Sequence, residues 1–188
     1  MKKPSLNFKF DAEKSDERLK ELTLFISDRC CDDPTFGATK LNKILFFSDF
    51  SFFEATGKPV TGAEYMKLPH GPVPKRMVPI RKQLESAKHL AIKEVPKGQM
   101  TQKRPIALRK ANLSLFTADQ IACVDWVISQ LRDCNATVVS AVSHQRAWRI
   151  AEEDASIPYE AAFLSDDGLT DYDINRTREL STKYGWNT

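Results

Sequence analysis

His144 and Trp148 stand four residues apart, so on a continuous helix they share a face where an imidazole could act as a general base or as a contact at a binding surface. No nucleophile or metal ligand accompanies His144 at a diagnostic spacing. The plainer alternative has the imidazole bonded to a backbone carbonyl and Trp148 filling the core. His70 and Gly71 sit in a His-Gly-Pro-Val-Pro run, where they could present an imidazole and a bare amide to a ligand. More simply, Gly71 lets the chain turn sharply with positive φ while His70 packs or caps. Lys43 and Asp49 lie six apart on an apolar stretch, too far round a helix to face each other, and both are expected in solvent.

The four cysteines do not read as a disulfide or zinc framework. Cys30 and Cys31 are adjacent, and Cys123 and Cys134 are separated by a predicted helix rising about 16 Å, against the roughly 7 Å that a disulfide tolerates between Cα atoms. Free thiols are expected, and no CxxC or His/Cys cluster has zinc-ligand spacing. GxGxxG, Walker A, GxSxG, HExxH and EF-hand patterns are absent, so neither a catalytic residue nor a metal or cofactor is expected, and the chain reads as a non-enzyme. Its rival from another class is a small hydrolase using His70 or His144 beside an acid.

Several elements must position these residues. Leu19, Leu22, Phe25, Ile26 and Cys30 make one apolar stripe of a helix over 15–30, with Glu17, Lys20, Glu21 and Thr23 on the solvated side. A second helix over 39–56 is apolar on most sides through Leu41, Ile44, Leu45 and five phenylalanines from Phe46 to Phe53 at the core centre, and is stopped by Gly57 and Pro59.

A strand is expected at 63–68, a turn at 70–74, and a helix over 74–89 with Pro79 held to its first turn. Strands at 90–95 and 105–109 follow, joined by a polar loop. Thr117 and Gln120 form a capping box for a helix to Asp133, and Asn135 caps a short one over 136–143. Short helices are expected near 146–153 and 172–184. The fold class is therefore α+β: one mainly helical domain over 15–155 with a three-stranded antiparallel sheet from 63–68, 90–95 and 105–109. Residues 1–14 form an N-terminal extension and 156–188 an acidic one packed on or flanking the domain.

With 188 residues, 41 % hydrophobic and 28 % charged, the composition is that of a globular protein, and no apolar run reaches bilayer length. The N-terminus lacks the apolar region of a secretory signal, and a cytoplasmic location is expected. The net charge of +3 is unevenly spread: Lys67–Lys110 carries +10 and Ala151–Thr188 carries −6. Such a dipole bears on partners and association rates. The basic hairpin from Lys93 to Lys110 reads either as a lysine-protected edge or as a partner surface. Without interleaved aromatics or a helix-turn-helix reader, specific nucleic-acid binding is not the expectation, although a salt-sensitive accessory role on nucleic acid stays open.

The segment Lys40–Pro74, KLNKILFFSDFSFFEATGKPVTGAEYMKLPHGPVP, resembles the core of the Panacea domain of SocA-like antitoxins, and Ser140–Trp148, SAVSHQRAW, is similar to that family's second hallmark. The resemblance and the segments between cover roughly 15–155. It implies an antitoxin that binds a cognate protein toxin encoded beside it and holds it inactive by contact. In that family the toxins include nucleotide-transferring enzymes acting on transfer RNA and small membrane-active peptides, and one member delivers its toxin to a cellular protease. The resemblance also marks Lys40, Leu41, Lys43, Gly62, Gly71, Pro72, His144 and Trp148 as motif residues, expected to be structural.

Tyr65, Met66, His70 and Arg76 around the turn are the expected toxin contacts, with Lys103 and Arg104 of the hairpin for steering. The acidic tail is a further candidate, for the basic groove of an RNA-modifying toxin. Little chain precedes Ser15 to form a separate DNA-binding domain, so operator binding is not expected.

Overall fold

Helix α2 (Ala38–Thr56) sits at the middle of the core because almost every face of it is apolar: Leu41, Ile44, Leu45, Phe46, Phe50 and Phe53 are all buried. Gly57 stops it in the left-handed conformation, φ 72°, its N–H donating to the Phe53 carbonyl at 2.7 Å. The computed structural model describes residues 12–98, 100–143, 148–149, 151–152, 154–164, 175, 179 and 182. Among them the protein is mainly helical, with two small antiparallel sheets, an α+β fold.

Helix α1 (Ala12–Arg29) packs on α2 and on the hairpin, and this second neighbour corrects the expectation of one solvated face. Thr23 is fully buried, and Glu21 is nearly so, its carboxylate accepting from the Arg109 guanidinium at 2.5 and 2.8 Å and from the Asn112 amide at 2.7 Å. Those donors hold the Glu21 carboxyl below its usual range despite its burial.

The sheet arrangement differs from the sequence expectation. Strand β1 (Tyr65–Met66) pairs with β2 (Val73–Pro74) on one side and, at its other edge, with β5 (Ser156–Ile157). Strands β3 (Leu90–Lys97) and β4 (Met100–Ala107) form a separate two-stranded hairpin. A small three-stranded antiparallel sheet is present, but it is made of β2, β1 and β5, and the segments at 90 and 105 do not join the one at 65. The polar stretch read as a loop is instead strand, since Leu90↔Ala107 through Lys97↔Met100 pair without a break and Gly98, φ 61°, makes the turn. Pro96 and Pro105 are tolerated because a two-stranded ribbon leaves each strand one unpaired edge.

Helix α3 (Met77–Ser86) starts three residues later than predicted, because Pro74 is held in β2; Pro79 falls in its first turn as expected. Helix α4 (Ala118–Leu131) opens with the capping box: the Gln120 amide donates to Thr117 Oγ1 at 3.3 Å and the Thr117 amide to Gln120 Oε1 at 3.1 Å. Val124, Val127, Ile128 and Leu131 face the core. Asn135 caps helix α5 (Ala136–Ser143) by accepting from the Val138 amide at 3.0 Å. Of the helices expected near 146–153 and 172–184, most residues lie outside the described ones; Trp148, Arg149, Asn175, Glu179 and Thr182 are helical.

Past residue 155 the chain still contributes to the core. Ile157 is buried beside β1, and the Tyr159 ring lies 5.0 Å from Phe50 and 5.3 Å from Phe53 while its hydroxyl donates to the Ala63 carbonyl at 2.7 Å. All four cysteines are free, and burial pushes the Cys30 thiol up to about 12. No helix among the described residues is long and apolar enough to cross a membrane.

Candidate protein-interaction site

The His70-Gly71-Pro72 turn is built from the inside. The Gly71 amide donates to the Leu68 carbonyl at 2.8 Å, and its φ of 93° is a conformation side chains rarely adopt. A Cβ on Gly71 would stand 2.8 Å from Lys43 Nζ and would meet Ser143 Oγ as well. Lys43 crosses from α2 beneath the turn and donates to the Pro72 carbonyl at 2.8 Å. Its side chain is 1 % exposed, and burial lowers its pKa to about 7. The Ser143 hydroxyl donates to the Ser140 carbonyl at 2.8 Å, fixing the end of α5 against the same turn.

The other flank of the turn is held by Trp148. Its indole N–H donates to the Leu68 carbonyl at 3.1 Å, and the Lys67 ammonium lies 4.4 Å from the ring centroid while donating to the Ala151 carbonyl at 2.8 Å. Thus Lys43, Gly71, Pro72 and Trp148, the motif residues of two distant segments, meet around one turn. His144 lies outside the described residues. Gly62 also takes a left-handed conformation, φ 73°, and Leu41 is buried in the core.

Lys40 serves a second junction. Its ammonium, 1 % exposed, donates to Asp33 Oδ2 at 2.6 Å, Thr35 Oγ1 at 2.8 Å and the Arg132 carbonyl at 2.6 Å, so all three donors are met. Burial raises the Asp33 carboxyl, but bonds from Lys40 and Thr35 outweigh it and leave the group below its usual range. The link ties the α1–α2 loop to the end of α4.

Lys43 and Asp49, expected in solvent, are both buried and do not pair with each other. Asp49 accepts from the Thr61 amide and hydroxyl, each at 2.5 Å, and from the Tyr65 hydroxyl at 2.7 Å. Six residues apart they do occupy different faces of α2, as the spacing requires, but α2 is enclosed by neighbours on both. Burial pushes the Asp49 carboxyl up, opposed by those three donors.

This network removes Tyr65 from the expected contact surface. The side chain is fully buried, its ring edge-on to Phe46 at 5.4 Å and to Phe50 at 5.7 Å. Arg104 is likewise committed inward, donating to the carbonyls of Asp33 at 2.8 Å and Cys31 at 2.5 Å. His70, Arg76 and Lys103 are exposed and Met66 partly so. Arg76 is clasped by Asp16 at 2.7 Å, which raises its pKa.

Sequence reasoning missed the apolar outer face of α5. Val138 and Val142 are 44 % and 46 % exposed, one turn apart, with Ala141 between them also exposed. Val142 adjoins Ser143, so this strip reaches the edge of the His70 turn. Its signal was the run of β-branched residues, which a short helix tolerates poorly unless they are packed on something.

Among the described residues no group of His, Cys, Asp or Glu is placed to hold a metal ion. The arrangement offers a rigid turn and an apolar strip rather than an array of reacting groups.

Residues 41–149 match the family model described as "Antitoxin SocA-like, Panacea domain", which is more than half of the chain. No curated protein and no solved structure matches. The chain belongs to the SocA-like antitoxin family of Panacea-domain proteins.

Proposed function

We propose that this protein is the antitoxin of a toxin–antitoxin pair and inactivates a cognate toxin, encoded beside it, by direct binding in the cytoplasm. The family match carries the antitoxin role. The division of labour around the turn supports contact rather than chemistry: Lys43, Gly71 and Trp148 are used internally, leaving His70 and the Val138–Val142 strip outward. A stable complex buries about 1,600 Å² in all, most of its energy from a few anchors. The toxin would take Val138 and Val142 as its apolar anchors and Met66, His70 and Arg76 as its rim, while the hairpin's exposed Lys93, Lys97 and Lys103 accelerate encounter with an acidic surface.

Co-expression with the adjacent open reading frame in a growth assay, followed by pull-down of the tagged protein, tests this. Rescue of growth with the neighbour co-purifying is the expected result. A harmless neighbour, or rescue without co-purification, would defeat direct neutralisation.

A further inference from the structure

Outside the turn, the described residues form an open cleft of about 370 Å³ between the start of α1, the 58–62 loop and the start of α4. We propose that this cleft binds the phosphate group of a small organic phosphomonoester. Its described lining, Lys14, Ser15, Arg18, Lys58, Pro59, Val60, Thr61, Gly62 and Gln120, holds three cationic side chains and no carboxylate. Lys14 and Ser15 bring the first turn of α1 to the cleft and Gln120 the first turn of α4, the helix ends that carry partial positive charge.

Donor accounting locates where an anion would sit. Arg18 donates Nε–H to the Val60 carbonyl at 2.7 Å, one Nη1–H to the Leu115 carbonyl at 2.6 Å and one Nη2–H to Gln120 Oε1 at 2.7 Å. A guanidinium has five N–H groups, so two remain, and every acceptor it has found is neutral. Burial lowers the Arg18 pKa, and among the described residues Asp49 opposes this through its field. Ser15 is 7 % exposed and contributes a hydroxyl to the lining of the cleft. The Lys58 ammonium stands on the exposed rim.

A tetrahedral dianion with three terminal oxygens matches this set: the spare guanidinium N–H groups, a hydroxyl and an ammonium. Pro59 and the aliphatic stem of Lys58 leave an apolar shelf for an organic body, and the volume lies within the range of small-molecule sites. The site stands apart from the His70 turn, so it does not depend on toxin binding.

Titration calorimetry of the full chain with ribose 5-phosphate, inorganic phosphate and ribose tests the assignment. Ribose 5-phosphate should bind more tightly than inorganic phosphate, ribose should not bind, and the affinity should fall as salt is raised. Lys58→Gln and Ser15→Ala should each weaken ribose 5-phosphate by about tenfold, the scale of one charge-assisted hydrogen bond, with the melting temperature unchanged. Absence of heat at millimolar ribose 5-phosphate overturns the proposal. So does equal affinity for the two phosphates, binding of ribose alone, or unaltered binding by both variants.

Discussion

The Lys43 ammonium ends 2.8 Å from the Pro72 carbonyl, an acceptor without charge, in a place water scarcely reaches. A buried lysine so placed is easier to bury neutral than protonated, and its folded pKa of about 7 lies below its ordinary value of 10.5.

The sign of the resulting pH dependence follows. Between those two values the unfolded chain binds the proton and the folded one releases it, so this group's cost to stability is full below pH 7 and is relieved as pH rises toward 10.5. Lys43→Met keeps the length of the side chain and removes the charge. The melting temperature of the parent minus that of the variant should therefore become more positive from pH 6.5 to 9. A difference that stays flat, or falls, would show that Lys43 titrates normally.

Gly71 is the position where a methyl group does most harm. Gly71→Ala must adopt φ 93° and push into Lys43 and Ser143, a combined cost of about 2–4 kcal/mol by denaturant unfolding. Pairing it with Lys43→Ala relieves the contact but not the backbone strain. The double variant should consequently lose less than the sum of the singles, and strict additivity would mean that Gly71 and Lys43 do not press on each other.

Lys40 and Asp33 form a closed ion pair whose members cannot be removed singly. Lys40→Met leaves a buried carboxylate without its counter-charge and should cost about 3–5 kcal/mol. Lys40→Met with Asp33→Asn should recover a large part of that loss. Because Asp33 is held below its usual range, the pair also contributes stability above the unfolded pKa that disappears as pH falls through the folded value. Urea melts of the parent, Lys40→Met, Asp33→Asn and the double variant at neutral and acid pH decide both points.

The outward face is separable from the fold. Val142→Asp and Val138→Asp change exposed side chains and should abolish toxin co-purification while moving the urea midpoint little. Tyr65→Phe makes the opposite pattern: it leaves Asp49 one donor short, costs about 1–2 kcal/mol, and should keep the toxin bound at temperatures where the protein is folded. Retention of toxin by both valine variants would move the interface elsewhere.

Periodicity made the helices legible. The capping box before α4, the Asn135 cap and the glycine stop after α2 are local devices, and the structure uses each where the residues spell it. Pairing of short strands was not legible, since β1, β2 and β5 have two residues each and offer no alternation to read. Polar residues within apolar helices misled for a related reason. Lys40, Lys43 and Asp49 look like surface punctuation until the loops that satisfy them are folded over them. The role of Arg18 was equally hidden, because its three acceptors come from three separate parts of the chain.

Tyr159 locks onto the Ala63 carbonyl across 96 positions of sequence, and β5 closes against β1 over a similar span. Joining such remote stretches carries a large chain-closure cost that only the completed aromatic cluster repays, so this seam should be among the last to form during folding. By the same reasoning it is a natural first place to breathe. Proteolysis under native conditions should enter near residues 151–160, and a bound toxin that rests on α5 or the His70 turn would slow the cut by holding the seam shut.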